Sequence, residues 1–383
     1  MLNWEKVLVS TSIQVDQKGN GNLQMRAAVV RQTGDDKVEI LDNVELENTG
    51  PGLVRVAIKA TGVCHSDLSA MSGVIPQPAP FVPGHEGAGE IVEVGEGVTN
   101  LSVGDHVIVA WIPPCGQCKF CLNGQANLCS SITMTIGYIP RFKLDGMPVW
   151  GMAGTGTFAE EVVLPSQAVV KIPNDVPMSV ASLIGCAVMT GVGSAINTAK
   201  VRPGSSVVVF GCGGVGISII QGAKLAGAAE IVAVDLVESK REDARRFGAS
   251  HAVSPSDLGQ VSVEVTGGDG FDYGFEAIGL PTTIRATYDA VRRGGTACIV
   301  GVGKADQMVE FSAFEMFFAE KTLMGSLWGS ADVRVDFDRM IRLWRTGRID
   351  LESMVSQKLG LDGINQAFDD MKAGKVIRTL IEI

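Results

Sequence analysis

The residues best suited to chemistry in this chain are its soft metal donors: eight cysteines and only four histidines in 383 residues. Four of the cysteines, Cys115, Cys118, Cys121 and Cys129, fall in PCGQCKFCLNGQANLC with the spacing C-x2-C-x2-C-x7-C. Short x2 loops carry successive thiolates to one side of a turn, so four sulfurs can close a tetrahedron around Zn²⁺. A shell complete in thiolates has no open position, and such a metal would brace a lobe that lacks a core of its own. An iron–sulfur cluster uses the same donors and the spacing leaves it open. A zinc ribbon for nucleic acid would have basic neighbours, and only Lys119 lies within the run. Elsewhere Cys64 lies in TGVCHSD, His85 and Glu86 in VPGHEGAGE, and Cys186 in LIGCAV. One His and two Cys, with the fourth position left to water, substrate or Glu86, are the donors of a catalytic zinc shell. Spacing alone does not bring them together, and a buried core cysteine is the other reading of each.

A second chemical signal is SSVVVFGCGGVG, in which Gly211, Gly213 and Gly216 form G-x-G-x-x-G at a strand-to-helix junction. The first glycine permits the turn, the second admits a pyrophosphate to the backbone, and the third lets helix pack close to strand. The helix N-terminus then offers unpaired N–H groups to the anion. The next strand ends in Asp235, nineteen residues past Gly216, where a carboxylate accepts from both hydroxyls of an adenine ribose. A carboxylate about 4 Å from a 2′-phosphate would cost roughly 4 kcal/mol at an effective dielectric near 20, so NAD is favoured over NADP.

These residues need elements to hold them. Up to about residue 170 the chain alternates short β-branched runs with Gly and Pro, which predicts a β-rich region with many turns. From about 186, strands alternate with helical stretches: SVVVFG then GISIIQGAKLAGA, EIVAVD then SKREDARRFGA, HAVS, DYGFEAIG then PTTIRATYDAVRRGG, TACIVGV and TLMGSLWG. That alternation predicts a doubly wound parallel sheet. Two further helices, in DVRVDFDRMIRLWRTG and GINQAFDDMKAG, precede a closing strand RTLIEI. A net charge of −10 disfavours phosphate backbones and anionic membranes as partners and points to a small-molecule ligand. The opening residues carry no signal-peptide pattern, and no uninterrupted apolar run reaches eighteen residues, so a cytoplasmic protein is expected. In that compartment clustered cysteines bind metal more often than they form disulfides.

Taken together, GHEGAGEIVEVGEGVTNLSVGDHV, CHSD, the four-cysteine lobe, GCGGVG with its aspartate and the closing GKVIRT resemble the zinc-dependent medium-chain alcohol dehydrogenases, from about Met25 to Ile383. The resemblance implies an α/β plus β fold: a GroES-like β-barrel catalytic domain interrupted by a Rossmann coenzyme domain, with the active site in the cleft between. The expected boundaries are an extension at 1–24, catalytic domain at 25–187 and 328–383, and NAD-binding domain at 188–327. Two Zn²⁺ per chain are implied. Cys64, His85 and Cys186 become the catalytic ligands, and Cys115, Cys118, Cys121 and Cys129 the structural ones. Glu86 matches the acid behind the metal, Asp67 the residue that holds His85, and Ser66 the hydroxyl that takes the alcohol's proton. Around the cofactor the resemblance assigns Gly211, Gly213, Gly214, Val215 and Gly216 at the turn, with Asp235 and Lys240 at the adenosine ribose. It sets Thr190 and Val215 beside the nicotinamide ring, counts Val300 and Val302 among the cofactor-binding residues, and sets His65 and Arg378 at the pyrophosphate. Many relatives carry a histidine where this chain has Ser69, so the proton's way out would run through water or the cofactor ribose. A homodimer through coenzyme-domain strands is implied, with a tetramer as the alternative.

The stretch 130–158 resembles a longer-loop branch that includes glutathione-dependent formaldehyde dehydrogenases and actinobacterial alcohol dehydrogenases. The former bind their thiol adduct through an arginine and two acids, where this chain has Thr133, Ile75 and Gln77. Without those charges a primary alcohol, aliphatic or benzyl-type, is the expected substrate. Trp111 matches a pocket position that narrows the channel at the reacting carbon, and Ala153 one that leaves room farther out. The alternatives are a nicotinoprotein, in which NAD stays bound and an external acceptor reoxidises it, and a thiol-dependent formaldehyde dehydrogenase. A zinc-free reductase or non-catalytic binding protein on this fold would lack Cys64, Cys186 and the four-cysteine lobe.

Overall fold

The computed structural model describes residues 23–130 and 138–383; the leader up to residue 22 and the segment that includes Thr133 lie outside them. The first strand, Leu23–Val29, starts two residues before the expected entry at Met25. It belongs to a five-stranded sheet that leans on a larger, mainly antiparallel seven-stranded one. The centre of the larger sheet is Leu53–Gly62, paired with Glu86–Val94, with Glu161–Pro165 and with the closing strand Arg378–Glu382. The last of these pairings returns the C-terminus to the first half of the chain. Alternating Val, Ile and Ala from these strands fill one apolar core, including Val54, Val56, Ile58, Ile91 and Val107.

The second half forms a six-stranded, wholly parallel sheet in the order His251–Val253, Glu230–Val234, Ser206–Phe210, Phe271–Glu276, Val291–Ile299, Thr322–Gly325. The chain begins in the middle, winds to one edge, and returns beside its first strand. Ligands bind outside the carboxyl ends of such strands, at the point where the winding reverses, and here that point lies between Phe210 and Glu276. One expectation fails locally. The helix read through PTTIRATYDAVRRGG ends at Ala290, and Val291 already belongs to the next strand. Val291 pairs with Phe271 ahead of a register irregularity, so sheet pairing overrides the helical pattern of that tail.

Between the two halves runs a continuous helical stretch, Met178–Thr198, interrupted by two π-helical turns at Ile184–Val188 and Ser194–Thr198. Among the described residues it is the one helix long and apolar enough to cross a membrane, with 21 residues and mean hydropathy 1.7, yet 83% of that apolar window is buried inside the molecule. It packs on the sheet half through the helix Gly214–Leu225, where Gly191 touches the Val215 carbonyl.

Candidate active site

Cys64 sits just beyond the strand Leu53–Gly62 and serves as the N-cap of a short helix, His65–Met71. Asp67 in that helix is fully buried and accepts three hydrogen bonds: from Cys64 N at 2.9 Å, from Gly84 N at 3.1 Å, and from His85 Nδ1 at 3.1 Å. One carboxylate therefore fixes both the thiol-bearing turn and the orientation of the imidazole, with Nδ1 toward Asp67 and Nε2 toward the neighbouring thiols. Cys186 arrives from the π-helical turn of Met178–Thr198; such turns reset side-chain direction within a helix and occur often at functional sites.

The donor atoms of Cys64, His85, Glu86 and Cys186 all lie within 4.8 Å of one another, and all four residues are buried. His85 Nε2 and Glu86 Oε1 have no hydrogen-bond partner among the described residues. Buried polar atoms without partners are costly; two of them beside two buried sulfurs, all four donors within 4.8 Å of one another, have the chemistry of a metal shell. The Cys64 thiol is held well below its ordinary value by its hydrogen bond from Cys186. The same bond, together with burial, pushes Cys186 up. Burial would lower His85, but the Asp67 carboxylate outweighs it and holds the imidazole well above its usual range. Burial pushes the Glu86 carboxyl up to about 7 against the pull of Arg378, whose guanidinium hydrogen-bonds Glu86 Oε2.

The other cluster is Cys115, Cys118, Cys121 and Cys129. Its sulfur pairs Cys115–Cys121 and Cys118–Cys129 are each 4.0 Å apart, close to the roughly 3.8 Å that a tetrahedron of about 2.3 Å zinc–sulfur bonds requires. Backbone N–H groups point at the sulfurs, Cys115 N at Cys129 and Cys118 N at Cys115, both at 3.3 Å. The N–H of Cys121 draws the Cys118 thiol down to about 6, so this sulfur is poised as a thiolate. Four donors, with no fifth His, Cys, Asp or Glu in the group among the described residues, make a closed shell.

At the coenzyme side, the first strand of the parallel sheet ends at Phe210 and the helix begins at Gly214. A Cβ on Gly216 would collide with the Gly211 carbonyl, which explains the third glycine of the motif. Space is open above Gly213. Asp235 accepts from Cys212 N at 2.8 Å and Val237 N at 2.9 Å, one bond on each oxygen, which leaves a lone pair on each for a diol. Val300 and Val302 follow the strand Val291–Ile299 at the same carboxyl end, Thr190 lies buried one turn beyond Cys186, and Val215 opens the glycine helix. Lys240 reaches across to Gly374. Arg378 packs on Gly214, and its Nε is buried without a partner among the described residues. His65 stands at the mouth with an edge in solvent. Partial desolvation, then Lys240 and Arg378, hold its imidazole below the ordinary value, against the pull of Cys64. These open N–H groups, cations and paired carboxylates fit a dinucleotide.

Ser66 is half-buried, in the first turn of the helix His65–Met71. Ser69 and His65 line a solvent-open cleft with Asp35, Asp36 and Lys372. The Trp111 ring stands edge-on to His85, centroids 6.1 Å apart, and its buried Nε1 has no partner among the described residues. Ala153 is held away by a hydrogen bond to Gln77 Oε1 at 3.2 Å, and no described contact joins it to the four-donor cluster. Two participants went unread in the sequence. Glu276 is fully buried at the end of the strand Phe271–Glu276 and accepts from Ile278 N, Gly279 N and Thr283 Oγ1, so it shapes the cofactor-side loop. An acid closing a strand in DYGFEAIG was its only signal. Trp328 lies against Trp111, 4.9 Å between centroids, and nothing in LWGS marks it.

Comparison with known proteins points the same way. The family model described as alcohol dehydrogenase GroES-like domain matches residues 50–174, and the one described as zinc-binding dehydrogenase matches residues 214–345. The chain is 39% identical to an S-(hydroxymethyl)glutathione dehydrogenase of Paracoccus denitrificans, over 94% of this chain and 100% of that protein. It is 37% identical to an NDMA-dependent alcohol dehydrogenase of Amycolatopsis methanolica, over 94% and 99%. Among solved structures, benzyl alcohol dehydrogenase from Acinetobacter calcoaceticus superposes with a TM-score of 0.87 at 31% identity, covering 94% of this chain and 99% of that one. With both family models matched in order and full-length relatives near 40% identity, this chain belongs to the zinc-dependent medium-chain alcohol dehydrogenases.

Proposed function

We propose that the protein interconverts primary alcohols, aliphatic or benzyl-type, and their aldehydes, with NAD as hydride acceptor and donor. The observation that carries this reading is the convergence of Cys64, His85 and Cys186, with Trp111 standing against His85. Zinc held by those three residues supplies Lewis acidity that makes an alcohol hydroxyl acidic near neutrality. The chain's own residues do the rest. Asp67 holds His85 through Nδ1 and keeps Nε2 available. Ser66 Oγ, one residue before Asp67, accepts the alcohol's proton, and the cleft lined by Ser69 hands it to water. Arg378 keeps the Glu86 carboxylate turned from the substrate side and offers Nε toward the cofactor's phosphates. Asp235 receives the ribose hydroxyls, while Thr190, Val215 and Val300 wall the nicotinamide. Trp111 excludes branching at the reacting carbon. Cys115, Cys118, Cys121 and Cys129 hold a second zinc that braces their lobe.

Against the thiol-adduct reading, Gln77 spends its amide on the Ala153 N–H and Ile75 offers no charge. In favour of a nicotinoprotein stands the likeness to the NDMA-dependent relative. A panel of alcohols and aldehydes followed at NADH absorbance, with and without glutathione, for wild type and Cys64→Ser, separates the readings. Turnover without added thiol, lost in the variant, supports the proposal; undiminished turnover in Cys64→Ser would sink the zinc assignment. Cofactor absorbance retained after desalting would identify the nicotinoprotein.

For assembly we propose a homodimer through the edge strand Thr322–Gly325. Beside that edge Phe314 and Phe317 are 71% and 82% exposed, an apolar surface of the kind that partner subunits cover.

A further inference from the structure

Residues 328–330 stand out from the rest of the backbone: Trp328, Gly329 and Ser330 are left-handed in succession, at φ 52°, 62° and 53°. Non-glycine residues keep such conformations only where surroundings over-determine them, and they gather at functional sites. Here the surroundings are the helix that carries Cys186 and Thr190. A Cβ on Gly329 would meet the Met189 carbonyl and lie 2.9 Å from that of Thr190. Ser326 Oγ bonds Ser194 at 2.8 Å, and Ser330 Oγ bonds Thr198 at 2.8 Å. Trp328 is 2% exposed, and its Nε1 donates to the Gly185 carbonyl at 3.0 Å, next to Cys186. Its ring is tilted 42° against Trp111, which in turn faces His85. On the other side Asn127, inside the four-cysteine lobe, donates to the Leu327 carbonyl at 3.0 Å.

We propose that Trp328 is a positioning residue that sets the Trp111 ring, and with it the width of the alcohol channel, and that Asn127 ties this setting to the four-cysteine lobe. The Trp111 ring has no hydrogen bond among the described residues, so the indole packed on it decides where it rests. The channel half of this inference rests on the alcohol reading above; the ring geometry does not.

Two indoles 4.9 Å apart give a coupled band in circular dichroism that Trp111→Phe and Trp328→Leu each abolish. In Asn127→Ala that band weakens while zinc content stays the same. In turnover, Trp328→Leu changes the benzyl alcohol to ethanol ratio of kcat/KM by about 10-fold, the lower end of what a methylene-sized change in an apolar pocket is worth. Most of that change falls in KM, and Trp328→Phe restores part of it. Trp328→Leu that folds and keeps the ratio overturns the positioning role; Asn127→Ala with an unchanged band overturns the link to the lobe. If wild type oxidises no alcohol, the functional reading fails, and the band still decides the geometry.

Discussion

A single carboxylate, Asp67, holds both a cysteine-bearing turn and the imidazole beside it. Its hydrogen bond to His85 Nδ1 is charge-assisted and buried, so loss of the charge frees the ring to rotate and lowers its basicity. Asp67→Asn should reduce zinc retention and kcat by about 10- to 100-fold. Metal analysis beside steady-state kinetics measures both, and equal zinc and kcat in variant and wild type would contradict the role. At the other end of the cleft, Asp235 presents an oxygen lone pair on each side of the place proposed for the ribose. Asp235→Ser should narrow the NAD over NADP preference by several hundred-fold, the factor that a repulsion of roughly 4 kcal/mol represents. Ratios of kcat/KM for the two cofactors report it, and an unaltered ratio would show that discrimination lies elsewhere.

At the scale of elements, the four-cysteine lobe owes its shape to sulfur and to backbone N–H groups rather than to a core. Cys121→Ser should leave three donors for a tetrahedral ion and lower the melting temperature by several degrees, since about 1 kcal/mol shifts a domain of 150–250 residues by roughly 2–4 °C. Chelation of wild type should produce the same shift, and calorimetry compares the two. Nearby, the helix Val333–Arg345 is capped by Asp332, which accepts from Arg334 N, while Asp336 reaches back to Asp332 N. Asp332→Ala should cost about 1 kcal/mol in urea denaturation. The Arg334 guanidinium holds Asp332 below the ordinary aspartate range. Its contribution is therefore complete above about pH 4 and fades as pH falls through the lowered value; Asp332→Asn should flatten that acid limb. What the sequence made legible follows the same scale. Periodicity exposed the alternating strands and helices, and G-x-G-x-x-G with Asp235 marked one ligand end. It could not join Cys64, His85 and Cys186, because the pairing of Leu53–Gly62 with Glu86–Val94 brings the first two together and the packing of the helical stretch Met178–Thr198 against Glu86 brings the third. The π-helical turn at Cys186 has no periodic signature. The helical pattern runs past Ala290 in the sequence because the next strand opens on the exposed Arg292, Arg293 and Gly294, which carry no alternation to mark it.

In the whole molecule, the apolar edge beside Thr322–Gly325 bears on assembly. Analytical ultracentrifugation should give twice the chain mass, and Phe317→Glu with Leu323→Asp should shift it toward the monomer; a monomeric wild type would refute the interface. The long helix between the halves has a different consequence. Cys186 and Thr190 lie one turn apart on it, so the span from the proposed zinc ligand to the proposed nicotinamide wall is measured along one helical rod. Opening or closing of the two halves cannot stretch that ruler. The segment from Gly211 to Lys240, proposed to read the ribose, lies off the rod, so an engineer could exchange it to recognise a phosphorylated ribose while the proposed reach of hydride transfer stays as it was.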